Sequence, residues 1–233
     1  MKRRLFLLTA LTFVGAVMVF AQNKQGVIQA VVGTDLSKAL PGDVVYMYPS
    51  FQNGSIMYKD NTFGEGKMNL YLLGEDIHFI DPKGDTLELN NQNDVKMVSI
   101  GKDMYLRFQN SYVRILESTD QVALGMRSYV FLDHSAKEGA YGVVSNTMSV
   151  TTMRSVSEGG REYYLSSLKN LPYTLKHDLF LYANEKLYMA TKKNFIKLYP
   201  EKKADIEAFI KENKTNFDNA QDALALFVYL KSL

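Results

Sequence analysis

Three histidines, His78, His134 and His177, are the residues on which acid–base or metal chemistry would turn, because the chain contains no cysteine. Asp76 and His78 stand two apart in a β-type run. Residues two apart on a strand share a face, so this carboxylate could sit beside the imidazole and tune its proton affinity. They are the candidate site. Asp133-His134 and His177-Asp178 are adjacent pairs, and strand neighbours point to opposite faces, so neither pair chelates one ion unless it lies in a loop. A histidine-based zinc site would need most of the three to converge from distant strands with a carboxylate. Asp81, Asp85, Glu88 and Asp94 crowd around two turns, which raises calcium. An EF-hand starting at Asp81 fails, since Lys83 takes the third position, Thr86 the place of the required glycine and Gln92 that of the bidentate glutamate. Aspartate in turns bonds its own backbone in any case. No metal and no cofactor is assigned.

The missing cysteine also excludes disulfide scaffolds, thiol nucleophiles, iron–sulfur clusters and a triacylated lipoprotein anchor. Nucleophile elbows, phosphate-cradling loops, dinucleotide fingerprints and paired metalloprotease histidines are absent. Carboxylate pairs for glycoside hydrolysis could be drawn from the 25 acids, but spacing along a chain does not show two of them facing each other in a cleft. Tyr46, Tyr48, Tyr58, Tyr71, Tyr105, Tyr112, Tyr129 and Tyr141 fall in or beside predicted strands. If exposed together they would form a flat amphipathic binding surface; half-buried rings with wet hydroxyls are the ordinary alternative.

The elements that must position these residues are mostly short strands. Val44 to Tyr48, Met68 to Leu73, Ile77 to Asp81, Thr86 to Leu89, Val95 to Ile100, Met104 to Phe108 and Tyr112 to Leu116 read as β runs. Gly64 to Lys67, Asp81 to Asp85, Asn90 to Asp94 and Gly101 to Asp103 read as turns between them. Val122 to Leu132 is mixed, Gly139 to Gly142 is a loop, and Thr147 to Val156 faces Arg161 to Leu165 as a hairpin with a solvated face. Leu179 to Tyr182 and Lys186 to Met189 form another hairpin. Near Ala190 the apolar period changes from two to about 3.6. Phe195, Leu198 and Tyr199 fit a short helix, Pro200 opens a second, and Asp218 caps a third. The last two helices should lie antiparallel. The expected fold is α+β: a predominantly antiparallel sheet, as a sandwich or partly open barrel, over about 44–189, followed by a C-terminal helical hairpin over about 190–233.

The first 21 residues stand apart. Lys2, Arg3 and Arg4 precede an uncharged apolar run from Leu5 to Phe20, and Val19-Phe20-Ala21 suits a cleavage site, so a signal peptide ending between Ala21 and Gln22 is expected. Sixteen apolar residues fall short of the roughly 20 that cross a bilayer. Removing these three cations takes the balance from 27 against 25 to 24 against 25. The mature chain, 22–233, is then near neutral, which removes the electrostatic case for nucleic acid as a partner. It is expected as one β-rich domain without a transmembrane segment, in the periplasm, on the outer-membrane surface or outside the cell.

Certain stretches resemble uncharacterised secreted proteins of Bacteroidetes: Phe51 and Gly54, Met68 to Tyr71, Ile77 to Asp81, Lys83 to Leu87, Val98 to Gly101, Tyr112 to Leu116, Gly139 to Gly142, Asn194 to Lys197 and Ala208 to Lys214. The resemblance implies an exported envelope protein and no particular activity. Within that setting Asp85-Thr86-Leu87 matches the triplet such bacteria O-glycosylate, making Thr86 a candidate acceptor. The expected function is a non-catalytic binding or scaffolding module for an envelope protein or glycan. The alternative is a hydrolase of envelope glycans or peptides using dispersed carboxylates.

Overall fold

A computed structural model describes residues 24–30, 34–133 and 170–233, together with the backbone of four strands between 137 and 165. In chain order the strands are β1 (Gln25–Gln29), β2 (Gln52–Tyr58), β3 (Phe63–Tyr71), β4 (Asp76–Ile80), β5 (Thr86–Glu88), β6 (Val95–Ile100), β7 (Asp103–Phe108), β8 (Ser111–Ser118), β9 (Ala123–Leu132), β10 (Lys137–Glu138), β11 (Val144–Ser145), β12 (Arg154–Glu158), β13 (Arg161–Leu165), β14 (Asn170–Ala183) and β15 (Lys186–Met189). The helices are α1 (Leu36–Ala39), α2 (Gly42–Val45), α3 (Lys192–Leu198), α4 (Lys203–Asn213) and α5 (Ala220–Ser232).

Eleven strands form one antiparallel sheet in the order β1-β14-β9-β8-β7-β6-β2-β3-β4-β5, with β15 on β14. Every link from β6 to β9 is a short hairpin, as expected where neighbouring strands are too close in sequence for a parallel crossover. The long β14 pairs with β9 along one side and shares its other side between β1 and β15. The sheet is open but strongly curled. Beyond β3 the chain turns, and the Leu72 carbonyl accepts the Val130 N–H of β9 while the Leu72 N–H reaches the Val45 carbonyl. Arg127 on β9 clamps Glu75 in the same turn, Nε to Oε2 at 2.6 Å and Nη2 to Oε1 at 2.8 Å.

Two apolar clusters sit on this sheet. One joins α1 and α2 to β2, β3, β4, β6 and the lower part of β9 and β14, through Leu36, Leu70, Leu72, Ile77, Val98 and Val130. The other joins the upper part of β9 and β14 to the helices, with Leu124, Leu181, Phe195, Ile206, Leu226 and Phe227 at its centre. The helical stripes therefore bury against the sheet as well as against one another, as amphipathic helices closing a domain must.

Three local expectations are overturned. Val44 and Val45 are not in a strand: Pro41 precedes a single helical turn, α2, both valines are buried and Tyr46 to Tyr48 are all half-buried, so the alternation of Val44, Tyr46 and Tyr48 corresponds to no pleat. Only Tyr46 makes a β-bridge, to Tyr71. Gly64 to Lys67 is strand, paired with Asn53 to Ile56 of β2; the reversal lies earlier, around Asp60 and Asn61, where Asp60 Oδ1 accepts Thr62 N–H at 2.9 Å and Asn61 has φ 64°. The cap of α5 is Asn219, not Asp218: its side chain accepts Gln221 N–H at 2.8 Å. The turn at Asn184-Glu185 has φ 51° and 59°, the geometry that joins β14 to β15 with matching twist. β12 pairs with β13 across 159–160, as the hairpin reading required, whereas Gly139 to Gly142 and 147–153 lie outside the described residues.

Candidate functional site

Asp76 and His78 both fall on β4, yet each is engaged elsewhere. The Asp76 carboxylate accepts Gln92 Nε2–H at 2.8 Å, and the Gln92 carbonyl accepts the Tyr112 hydroxyl at 3.2 Å. His78 Nδ1 meets the Tyr46 hydroxyl at 2.9 Å, and its ring stacks on Tyr71 with centroids 4.4 Å apart. Burial pushes the His78 imidazole down to about 4, so it stays neutral near pH 7. Thr86 is exposed on the edge strand β5 with Leu87 beside it. Ala21, Gln22, His134 and Tyr141 lie outside the described residues. Asp81 serves its own turn, Oδ1 accepting Lys83 N–H at 2.8 Å and Asp85 N–H at 2.9 Å. No group of three or more His, Asp or Glu side chains among the described residues is placed to hold a metal ion.

The tyrosines do not make a flat exposed face. Tyr71, Tyr105 and Tyr112 are buried, and Tyr46, Tyr48 and Tyr58 are half-buried against the first cluster. A strongly curled sheet turns its aromatic side chains inward, where their area contributes most.

A cleft of about 860 Å³ lies between the two clusters. Its mouth carries Lys24 and Asp43, an ion pair with side chains 41% and 64% exposed. Lys24 holds the Asp43 carboxyl below its usual range. One wall is the segment Tyr46 to Pro49, another the end of the α4–α5 connection with the first residues of α5, from Asn216 to Gln221, and the floor is sheet: Arg114 of β8, Met126 of β9, and Leu175, His177 and Leu179 of β14. The volume falls within the range of small-molecule sites.

The floor owes its arrangement to strand register. Arg114 lies opposite Met126 and Tyr105, while Ser128 lies opposite His177. Ser128 Oγ and His177 Nδ1 are 2.8 Å apart. Burial lowers the His177 imidazole, and the Arg114 charge lowers it further, against a weaker pull from Asp178. Asp178 itself turns to the other face, where its carboxylate is 3.9 Å from Arg127, as adjacent strand residues must. Arg114 Nη1 is 3.5 Å from Asp103 Oδ2. The same oxygen accepts the Tyr48 hydroxyl at 2.7 Å, and that hydroxyl in turn accepts Tyr105 at 2.6 Å. Burial pushes both phenols up, so they remain protonated donors.

Ser128 and His177 superficially match a nucleophile and its base. The serine is only 4% exposed and is not on the cleft wall, and no carboxylate orients the imidazole, whose Nε2 is buried without a hydrogen-bond partner among the described residues. Acyl transfer needs an accessible hydroxyl and an oriented base, and this pair has neither. Sequence reading passed over Arg114 and weighed His177 only as a metal ligand beside Asp178, not as a partner of Ser128 or Arg114. Their signal was present: each interrupts an inward-facing series, Tyr112-Arg114-Leu116 and Leu175-His177-Leu179, at a position where apolar residues belong. No family model, curated protein or solved structure matches the chain.

Proposed function

We propose that this chain is an exported cell-envelope protein acting as a non-catalytic binding module, and that it takes its ligand in the cleft between the helices and the curled sheet. The observation carrying this reading is the composition of the cleft: apolar floor residues (Leu72, Met126, Leu175, Leu179) interleaved with convergent polar groups, Arg114 and His177 in the floor and Asn216, Asn219 and Gln221 on one wall. Its acids favour binding over hydrolysis. Asp43 is neutralised by Lys24 and held below the usual carboxylate range, opposite to what a general acid needs. Export is supported by the basic start, apolar run and small residue at Ala21.

Incubating the purified protein with envelope extract and identifying the retained species by mass spectrometry tests the reading. Wild-type protein should retain a small ligand that the cleft-blocking Ala220→Trp variant does not; equal retention by both would place binding elsewhere. The same native material should begin at Gln22, and its intact mass should carry a glycan lost in Thr86→Ala. A chain starting at Met1 would end the export reading, and a bare polypeptide mass would remove Thr86 as an acceptor.

A further inference from the structure

We propose that the cleft selects amphipathic small molecules bearing a carboxylate, with Arg114 as the receptor for that group and the surrounding methionine and leucine side chains as the seat of the apolar body. This rests on the cleft being the binding site.

Arg114 is a buried cation with an incomplete set of partners. Its side chain is 14% exposed, far less than Lys24 or Asp43 at the mouth, so it lies deep in the cleft. A guanidinium presents five N–H donors and is costly to bury unless they are used. Its Nε is buried with no hydrogen-bond partner among the described residues. Its ion pair with Asp103, at 3.5 Å, is longer than the roughly 2.7–2.9 Å of a charge-assisted bond. The Asp103 oxygen involved already takes the Tyr48 hydroxyl, which disperses its charge. Arg114 is thus positioned by Asp103 without being saturated by it.

The remaining charges of the cleft do not compete. Lys24 and Asp43 cancel at the mouth, and Asp218 is exposed on the α4–α5 connection. Burial and Arg114 both lower the His177 imidazole, so the cation at the floor is Arg114, partly offset by Asp103 at 3.5 Å. Around it Met126, Leu179, Leu175 and Leu72 line the floor, and Met47 and Pro49 offer more exposed apolar surface on the adjoining wall. A planar carboxylate matches the guanidinium fork in geometry, and an incoming one would supply the short bonds that Asp103 does not.

Three probes of equal chain length decide the matter: decanoate, decan-1-ol and decylamine, titrated calorimetrically below their aggregation limits. Wild-type protein should bind decanoate at least roughly tenfold more tightly than decan-1-ol, the ratio expected from one charge-assisted bond, and decylamine least. Arg114→Gln should bring decanoate to the affinity of decan-1-ol and leave the alcohol unchanged, a loss of selectivity that general destabilisation does not produce. Ala220→Trp should weaken all three. Equal wild-type affinity for acid and alcohol, or preference for the amine, overturns the carboxylate assignment while leaving the cleft as a binding site. Failure of all three probes to bind overturns both. Should Arg114→Gln not fold, the wild-type ratio and the blocked variant still decide.

Discussion

At the scale of single residues, the engaged state of His78 has a measurable consequence. Its imidazole is held near 4, below its ordinary value of 6.5, because burial between Tyr46 and Tyr71 disfavours the cation. The unfolded chain therefore binds more protons than the folded one between these values, and stability rises with pH across that window. Melting temperature should be flat above about pH 6.5 and fall as pH drops toward 4. His78→Phe keeps the stacked ring and removes the titration, so its curve should fall less steeply; parallel curves would show that His78 does not contribute. Part of the slope should remain, because His177 is also buried and lowered. The sequence correctly put Asp76 and His78 on one strand, but partners from other elements decided their roles. Gln92 and Tyr46 lie outside β4, and no local pattern announces such contacts.

Among elements, the β2–β3 hairpin shows best what spacing reveals and conceals. Gly64-Glu65-Gly66-Lys67 has the composition of a turn, yet Gly66 lies directly opposite Gly54 within paired strands. The reason for glycine is packing of backbone against backbone: a Cβ at Gly54 would come within 2.2 Å of the Ser99 carbonyl oxygen on β6, while one at Gly66 meets nothing within 4 Å. Gly54→Ala should cost about 3 kcal/mol, as an overpacked interior does, and Gly66→Ala should fall within about 0.5 kcal/mol of wild type. Urea denaturation separates the two; equal effects would contradict the close approach of β2 and β6. Strands β6 to β8 were legible because alternation and turn chemistry agree there. The α5 cap was misplaced by one residue because Asp218 and Asn219 are both good caps, and only backbone geometry chooses between them.

For the whole molecule, the curl of the sheet depends on contacts that no hairpin supplies. Glu75 is 1% exposed and sits at φ 60° in the turn after β3, where Arg127 of β9 grips both its oxygens. Arg127→Met should cost about 3 kcal/mol, because a buried carboxylate loses its guanidinium, and adding Glu75→Gln should recover part of that loss in the same denaturation experiment. A double variant no more stable than the single would mean the pair is not coupled. Sequence composition showed a sheet with helices at its end, but not the cleft, since Arg114 and His177 come together only through β9, which pairs with both their strands. The same long reach governs assembly. Strand β1 finds its mate only in β14, almost the whole sheet further along the chain. A polypeptide that emerges from its amino end must leave that opening segment waiting until the late strand arrives, so the finished sheet is a product of the completed chain.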